Sequence, residues 1–408
     1  MRASGRLLAI GDYRRTWAIG AAGGVARWLE FVALAIATYE LTRSPELVAM
    51  LGLLRMAPYM VLGVPMGALA DAIDRRVMLI ASLAVMVVLS ALLAGVAMAG
   101  ALTYPWIAAA MLAGGVFWTT DMPVRRRLMV DAASGHDIAA ALGLDNASMY
   151  ASRAIGPLVG GATYQLVGAT GIFVLVGVIY LYCLVMALRV EARAVPQPAS
   201  TLPLLARLVP PVSLLMQRRF LIVMGVTVVF NLWCFPFVTM VPVIAQKEFL
   251  MSPAAVGAFA ALEGIGGTLG ALAIGALASE RTLFRFYYWG TAGFLAALLV
   301  VAANLSALPT GLMLPLIGVA SAAFSATQYA IVHVSVPAEM RGRAAGVLAV
   351  FIGTSIVGHY WTGVMFERDG TVAAVWTMGV YGLAAMAVLG LAWLIPVKES
   401  GGELSPRP

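Results

Sequence analysis

Five charged side chains stand within stretches of the sequence that are otherwise apolar. Arg27 and Glu30 are three residues apart, so on a helix they would share a face and could form an ion pair. Arg153 and Glu263 each stand in a later stretch, and Arg153 is a second possible partner for Glu30. Arg55 stands nearer the end of its stretch, where a long side chain could extend to the polar surface.

These charges suggest proton-coupled chemistry. A charge at the centre of a bilayer costs about 2.5–3.5 kcal/mol on insertion scales, and such residues usually have a function. A carboxyl group in apolar surroundings can take up and release a proton, so Glu30 and Glu263 are candidate proton-coupling residues, with Arg27 and Arg153 as candidate partners. The alternative is that these residues form structural ion pairs.

The surrounding elements are predicted to be membrane-spanning helices. Hydrophobic residues make up 62% of the chain and charged residues 11%, which excludes an ordinary soluble enzyme. A helix needs about 20 apolar residues to cross a bilayer. The sequence therefore predicts an all-α membrane protein with twelve transmembrane helices, at 16–40, 46–70, 77–100, 104–122, 139–165, 170–189, 219–245, 253–279, 284–304, 309–333, 342–366 and 371–395.

The loops between these runs differ in positive charge. Twenty Lys and Arg residues stand on the side of the N-terminus and three on the other side, and the remaining three are inside runs. Cytoplasmic loops carry the excess of Lys and Arg, so both termini are predicted to be cytoplasmic, in a bacterial-type inner membrane. This topology accounts for the net charge of +7 and leaves no reason to expect a nucleic-acid partner.

Other classes of site are not expected. The two cysteines, Cys183 and Cys234, stand inside apolar runs and suggest neither a disulfide nor a metal site. The phosphate-binding pattern of ATPases is absent from the sequence, so no ATPase domain is expected. We predict a monomer without cofactor or metal, whose partners are a small-molecule substrate, protons and the lipid bilayer.

The chain divides near its middle. Five prolines interrupt residues 190–218, which are predicted to be a cytoplasmic linker between six-helix bundles at 1–189 and 219–397, with a cytoplasmic tail at 398–408. Residues 67–71 read Gly-Ala-Leu-Ala-Asp and residues 275–279 read Gly-Ala-Leu-Ala-Ser, at equivalent places in the two halves. Parallel six-helix repeats are typical of one large class of transporters, which bind substrate at the midplane between the repeats.

A motif in the loop between runs 2 and 3 identifies a family. Gly67-Ala-Leu-Ala-Asp71-Ala-Ile-Asp74-Arg75-Arg76 resembles the loop motif of the major facilitator superfamily, although Ala72 replaces a basic residue and Asp74 a glycine. The sequence from Asp12 to Trp17 and the region 122–148 resemble the branch of the enterobactin exporter and macrolide-efflux-type proteins.

The loop is predicted to act as a cytoplasmic latch that holds the outward-facing state. Asp71 could accept hydrogen bonds at a neighbouring helix N-terminus, and the two arginines could reach carboxylates beneath the loop. The alternative is an ordinary turn rich in positive charge. The predicted latch residues are Gly67, Asp71, Asp74, Arg75, Arg76, Asp131 and Asp145.

Run 5 carries a second motif. It resembles the antiporter motif of the superfamily's drug exporters, with Ser152 in place of one glycine. Ser152, Gly156 and Gly160 recur every four residues and would share one helix face, which allows close packing, while a proline bends the helix. The resemblance implies an extracellular gate in an exporter, and the alternative is plain tight packing. The motif residues are Gly143, Ser152, Gly156, Pro157, Gly160 and Gly161.

The resemblance also implies a central cavity lined by runs 1, 4, 7 and 10. We predict proton-coupled export of a small amphipathic compound, such as a drug or a siderophore, by alternating access. The alternatives are an uptake permease for a metabolite or siderophore, and a transport-inactive membrane sensor or assembly protein. The candidate cavity residues are Trp28, Phe31, Trp118, Asn231, Trp233, Phe235, Gln328, Tyr329 and, from run 11, His359.

Overall fold

A computed structural model describes residues 2–133, 138–191, 217–336 and 341–394, and every regular element in these ranges is helical. The predicted linker falls largely, and the tail wholly, outside the described residues. The helices are α1 Arg2–Ala9, α2 Gly11–Thr42, α3 Pro45–Ala72, α4 Arg75–Met98, α5 Tyr104–Ala132, α6 Ile138–Leu188, α7 Arg218–Val229, α8 Phe235–Lys247, α9 Pro253–Leu277, α10 Leu283–Ala303, α11 Ala307–Ser335, α12 Arg341–Ile352, α13 Ser355–Arg368 and α14 Thr371–Leu394.

The described residues contain eleven helical segments long and apolar enough to cross a membrane. One of them, Ala140–Leu188, has 49 residues and would be about 74 Å long as a straight helix, more than twice the thickness of a bilayer core. It turns at Gly168, whose φ of 63° is readily adopted only by glycine. The segment therefore holds two spans, which brings the total to the predicted twelve.

Two spans are irregular. A π-helical turn, Phe230–Cys234, joins α7 to α8, and a short break at residues 353–354 separates α12 from α13. A π-turn adds one residue to a helix and is often found at functional sites. Both irregular spans contribute side chains to the region between the two halves of the molecule, described below.

The spans form two groups. We call α2–α6 the N-terminal half and α7–α14 the C-terminal half. The halves meet where α6 packs along α9 and α3 packs along α13. We call the face with the α3–α4, α5–α6 and α9–α10 connections the arginine-rich face, and the face with the α2–α3, α4–α5 and α8–α9 connections the opposite face.

Candidate functional site

A cavity of about 160 Å³ lies between the two halves. Helices α2, α3, α5 and α6 line it from the N-terminal half, and α8, α11 and α13 from the C-terminal half. Five of the nine residues predicted for the cavity are in its wall: Trp28, Phe31, Trp118, Phe235 and His359.

The other four predicted residues do not line this cavity. Asn231 donates a hydrogen bond to a carbonyl oxygen of its own span, and the Trp233 ring lies near an aromatic ring of α14. Gln328 is buried outside the cavity wall, and the Tyr329 hydroxyl lies 3.3 Å from the Tyr59 hydroxyl. The prediction used the helix on which a residue stands, whereas lining the cavity depends on the face of that helix.

Several residues of the cavity wall were missed because nothing in the sequence separates them from residues that only pack against a neighbouring helix. Gly52 is one of them, and its role depends on a distant residue. A methyl group at Gly52 would come within 2.6 Å of the His359 Nε2 atom, so the missing side chain makes room for the imidazole ring. The missed residues are Gly52, Met56, Met149, Tyr150, Thr239 and Ser325.

An ion pair connects the two halves beside the cavity. Arg153 Nη2 of α6 lies 2.6 Å from Glu263 Oε1 of α9, and both side chains are almost fully buried. The Arg153 guanidinium also lies 5.2 Å from the centre of the Trp28 ring. The two backbones are close here, because a methyl group at Gly264 would collide with the backbone of Arg153. Two residues that were predicted separately therefore form one inter-half contact.

Glu30 is buried, with 4% of its surface exposed, and its neighbour differs from the predicted one. Among the described residues no cationic group lies within ion-pair distance of Glu30, and the positive charge that acts on it is Arg55 of α3. Arg27 lies elsewhere, with its guanidinium 5.0 Å from the centre of the Trp118 ring. The proposed pairs of Glu30 with Arg27 or Arg153 are therefore not those of the structure.

Arg55 does not extend to the polar surface, so that expectation is wrong. Only 7% of its surface is exposed, and its guanidinium lies 5.6 Å from the centre of the Trp28 ring and 5.3 Å from that of Phe31. The electron-rich faces of these rings attract the cation and partly replace its lost hydration. Arg55 therefore belongs to the wall of the cavity.

A second buried network holds α5 to α6 nearer the arginine-rich face. The Asp145 carboxylate accepts from Arg125 Nη1 at 2.7 Å and from Arg126 Nε at 2.9 Å, and only 3% of the Asp145 side chain is exposed. Asp121, one turn before Arg125, lies 3.3 Å from its Nε atom. The carboxylate predicted to lie beneath the α3–α4 loop is thus held by the arginines of α5.

The α3–α4 loop is anchored to its neighbours at three points. Asp74 caps α4, where its carboxylate accepts from the backbone nitrogen of Arg76 at 2.7 Å. Arg75 Nη1 lies 3.7 Å from Asp131 Oδ2, and Arg76 Nη2 donates to the carbonyl oxygen of Leu188 at 2.7 Å. Beyond their position in α3, the surroundings of Gly67 and of the Asp71 side chain lie outside what the structure describes. Asp74 thus caps α4, and the hydrogen bonds expected of Asp71 stay a prediction.

The small residues of α6 pack against two different helices. A methyl group at Gly156 would lie 2.5 Å from Trp28 Cβ, and one at Gly160 2.5 Å from the carbonyl oxygen of Leu29, so this face contacts α2. A methyl group at Gly161 would lie 2.8 Å from Gly257 Cα of α9. The motif therefore allows one helix to pack closely within its own half and also across the halves.

Contacts across the halves close the cavity toward the opposite face. Glu367 of α13 accepts from the Ser44 hydroxyl at 2.9 Å, and the backbone nitrogen of Ala254 donates to Gln165 Oε1 at 3.0 Å. A methyl group at Gly363 would lie 2.9 Å from Ala49 Cβ. Both α3–α13 and α6–α9 are therefore tightly joined at this face.

Comparisons with known proteins agree with this architecture. The nucleoside transporter NupG has a TM-score of 0.72 and 12% identity, covering 94% of this chain and 100% of its own. A bacterial homologue of the human lysosomal transporter Spinster, inward-facing and occupied, has a TM-score of 0.73 and 14% identity, covering 93% and 96%. An inward-facing bacterial homologue of the iron transporter ferroportin has a TM-score of 0.70 and 13% identity, covering 95% and 100%.

These likenesses show the fold alone, because all identities are low. A search of curated proteins finds no match to the sequence. The model of the Major Facilitator Superfamily matches residues 16–358, which is most of the chain. The fold, the twelve spans and this match together show that the chain belongs to the major facilitator superfamily and is a multi-pass membrane transporter.

Proposed function

We propose that the protein couples proton entry to the export of a small amphipathic compound, such as a drug or a siderophore, across a bacterial-type inner membrane. The observation that carries this proposal is the Arg153–Glu263 ion pair, which joins the halves beside a central cavity. In alternating access the two halves separate on one side of the substrate and approach on the other. A contact between the halves is therefore made in one state and lost in the other.

The charge of the loops supports a cytoplasmic position for the arginine-rich face. With this orientation, the contacts at Ser44, Gln165 and Gly161 close the cavity toward the outside. The antiporter motif would then lie where an extracellular gate is needed, because Gly161 packs against α9 on that side of the cavity. These features favour export over uptake.

Glu263 is the first candidate for the coupling carboxylate. When the halves separate at α6 and α9, Glu263 loses Arg153 and becomes free to bind a proton. When the halves close again, Glu263 re-forms its ion pair with Arg153 and gives up the proton into the cavity, which is then closed toward the outside. Glu30 is the second candidate, because it is buried without an ion-pair partner in the described part of the chain.

The α3–α4 loop is proposed to stabilise the outward-facing state. Asp74, Arg75 and Arg76 anchor it to α4, Asp131 and the end of α6. Asp71 is proposed to add a charge-assisted bond in that state, and such bonds contribute roughly 1.5–3 kcal/mol each. Asp71→Asn should therefore leave an inserted protein with transport reduced about tenfold or more.

The proposal is tested by proton movement in reconstituted vesicles that contain a trapped pH indicator. A macrolide, a fluoroquinolone and a catechol siderophore are added in turn across a proton gradient. We expect that, for at least one compound, protons cross the membrane down their gradient while the compound moves in the opposite direction against its own concentration gradient. Uptake with the proton, or binding without any proton movement, would contradict proton-driven export.

The coupling residue is tested with the compound so identified. Glu263→Gln should allow exchange of substrate across the membrane but abolish uphill export. The double variant Arg153→Gln/Glu263→Gln separates coupling from structure, because it leaves no unpaired charge. If the double variant recovers uphill export, Glu263 is not the coupling group, and Glu30→Gln is compared with Arg55→Gln/Glu30→Gln in the same way.

A further inference from the structure

The wall of the cavity carries positive charge without matching negative charge. Three arginines line it, Arg27, Arg55 and Arg153, and no aspartate or glutamate of the described residues does so. Only Arg153 has a carboxylate at ion-pair distance, which is Glu263. The cavity therefore presents two guanidinium groups without a carboxylate in its own wall, although both also line an adjoining pocket whose wall includes Glu30 and Asp121.

The partners of these two arginines are aromatic rings. Arg27 lies against Trp118, and Arg55 lies against Trp28 and Phe31. Carboxylates act on them from a distance: Glu30 on Arg55, and Asp121, itself paired with Arg125, on Arg27. Neither guanidinium has a hydrogen bond or ion pair to a carboxylate in the described part of the chain. A buried cation is stable when a well-placed anion and hydrogen bonds compensate its desolvation.

The C-terminal half completes the cavity with neutral groups. Its side chains there are Phe235, Thr239, Ser325 and His359. The His359 Nδ1 atom lies 2.6 Å from the carbonyl oxygen of Ser355, and its ring meets that of Phe235 edge to face. One wall thus offers cations and the other offers an apolar surface with a few polar groups.

We infer that the cavity selects an amphipathic organic anion, whose carboxylate or sulfonate binds Arg55 and Arg27 and whose flat apolar body lies between Trp118, Trp28 and Phe235. A guanidinium forms two parallel hydrogen bonds with such head groups, which a point charge does not. The volume of about 160 Å³ is close to the ~150 Å³ of a cavity that accepts benzene, so it suits a small aromatic body. An organic cation would be repelled by both arginines.

This inference rests on the proposed function only in assigning the cavity to substrate. It is tested on the purified full-length protein in an uncharged detergent, without any gradient. Equilibrium dialysis compares three ligands of one shape: 2-naphthoate, 2-naphthylmethanol and 2-naphthylmethylamine. We expect naphthoate to bind at least about tenfold more tightly than the alcohol, and the amine to bind most weakly.

The variants locate the site. Arg55→Gln and Arg27→Gln should each weaken naphthoate binding about tenfold or more and leave binding of the alcohol nearly unchanged. Arg55→Lys keeps the charge but loses the paired hydrogen bonds, so it should show an intermediate loss and guards against misfolding of the glutamine variant. Arg368→Gln is the matched control, since that side chain is 83% exposed.

The outcomes distinguish this inference from the proposed function. Equal binding of the three ligands, no binding of any of them, or an Arg55→Lys variant that binds naphthoate like the native protein would overturn the anion site. Strong naphthoate binding to a protein that moves no protons would contradict proton-coupled export and leave the anion site standing. Proton-driven export of an organic cation would support proton-coupled export and overturn the anion site.

Discussion

The apolar core of the N-terminal half contains buried ion pairs, whereas that of the C-terminal half contains a cluster of stacked rings. In the N-terminal half, Asp145 and Arg125 form a buried ion pair that joins α5 to α6. In the C-terminal half, the rings of Phe230 and Phe324 are parallel, with centres 3.7 Å apart, and the Tyr287 ring also stacks on Phe324, with centres 4.9 Å apart. Glu263 is the only buried carboxylate among the described residues of that half, and it faces the N-terminal half.

This difference suggests that the two halves, although similar in topology, have different roles in transport. Buried charges are sensitive to charged ligands, so we assign recognition of ligand charge to the N-terminal half, while the proposed proton-coupling group Glu263 lies on the C-terminal half where it meets Arg153. Stacked rings change little with pH and keep helices in fixed relative positions. We expect the C-terminal half to move as a rigid body against the N-terminal half.

Asp145→Ala should have the largest effect, because it leaves Arg125 and Arg126 without their shared carboxylate. Breaking a buried ion pair costs about 3–5 kcal/mol of unfolding free energy. Thermal unfolding of the purified protein measures the change. Asp369→Ala is the control, because that carboxylate is half-exposed and should matter by less than about 0.5 kcal/mol. Equal losses in the two variants would remove the distinction between the halves.

Gly161→Ala should have an intermediate effect, since it tests the close backbone packing between α6 and α9 rather than the ion pair or the stacked rings. The new methyl group collides with the backbone of α9, and overpacking of this kind costs about 1–3 kcal/mol. Labelling of Ala49→Cys, normally buried under α13, should become faster as the opposite face opens.

Gly143→Ala is the matched control for this prediction, because no atom lies within 4 Å of the position of its methyl group. Like Gly161→Ala, it adds one methyl group to a glycine of the motif. A loss of transport in Gly143→Ala equal to that in Gly161→Ala would mean that the motif acts through something other than close packing with α9.

Phe324→Leu should have the smallest effect. It removes the ring that stacks with both Phe230 and Tyr287 but keeps an apolar side chain, and an aromatic pair contributes about 0.5–1.5 kcal/mol beyond its buried area. We expect a small loss of thermal stability with unchanged ligand binding. Trp376→Leu, at a 40% exposed site, provides the comparison. A change in ligand charge preference in Phe324→Leu would contradict the rigid-body role of this half.

The twelve spans could be predicted from sequence because each depends on a local property. A run of apolar residues of bilayer length forms a helix whatever surrounds it, since the backbone must satisfy its own hydrogen bonds. Even the joined segment Ala140–Leu188 followed the prediction, because its turn at Gly168 lies between the two apolar runs. Close packing along Gly156 and Gly160 was also visible as a spacing of four.

The partners of the buried charges could not be predicted in the same way. The spacing of Arg27 and Glu30 shows that they share a face, but it says nothing of the helix that packs on that face. Arg55 comes from α3 and takes the place beside Glu30, while Arg27 turns to Trp118 of α5. Which residue lies next to a buried charge depends on how each helix is rotated and on which helix packs against it. A single sequence does not specify either of these.

The excess of guanidinium groups over carboxylates in the cavity wall has an electrical consequence. Moving one elementary charge through 100 mV changes the free energy by about 2.3 kcal/mol. When the cavity changes from facing one side of the membrane to facing the other, the membrane field around Arg27 and Arg55 changes. The transporter without substrate therefore moves charge through the field when it reorients. A bound anion cancels part of that charge. We therefore expect the membrane voltage to act mainly on the return of the empty carrier and only weakly on the loaded step.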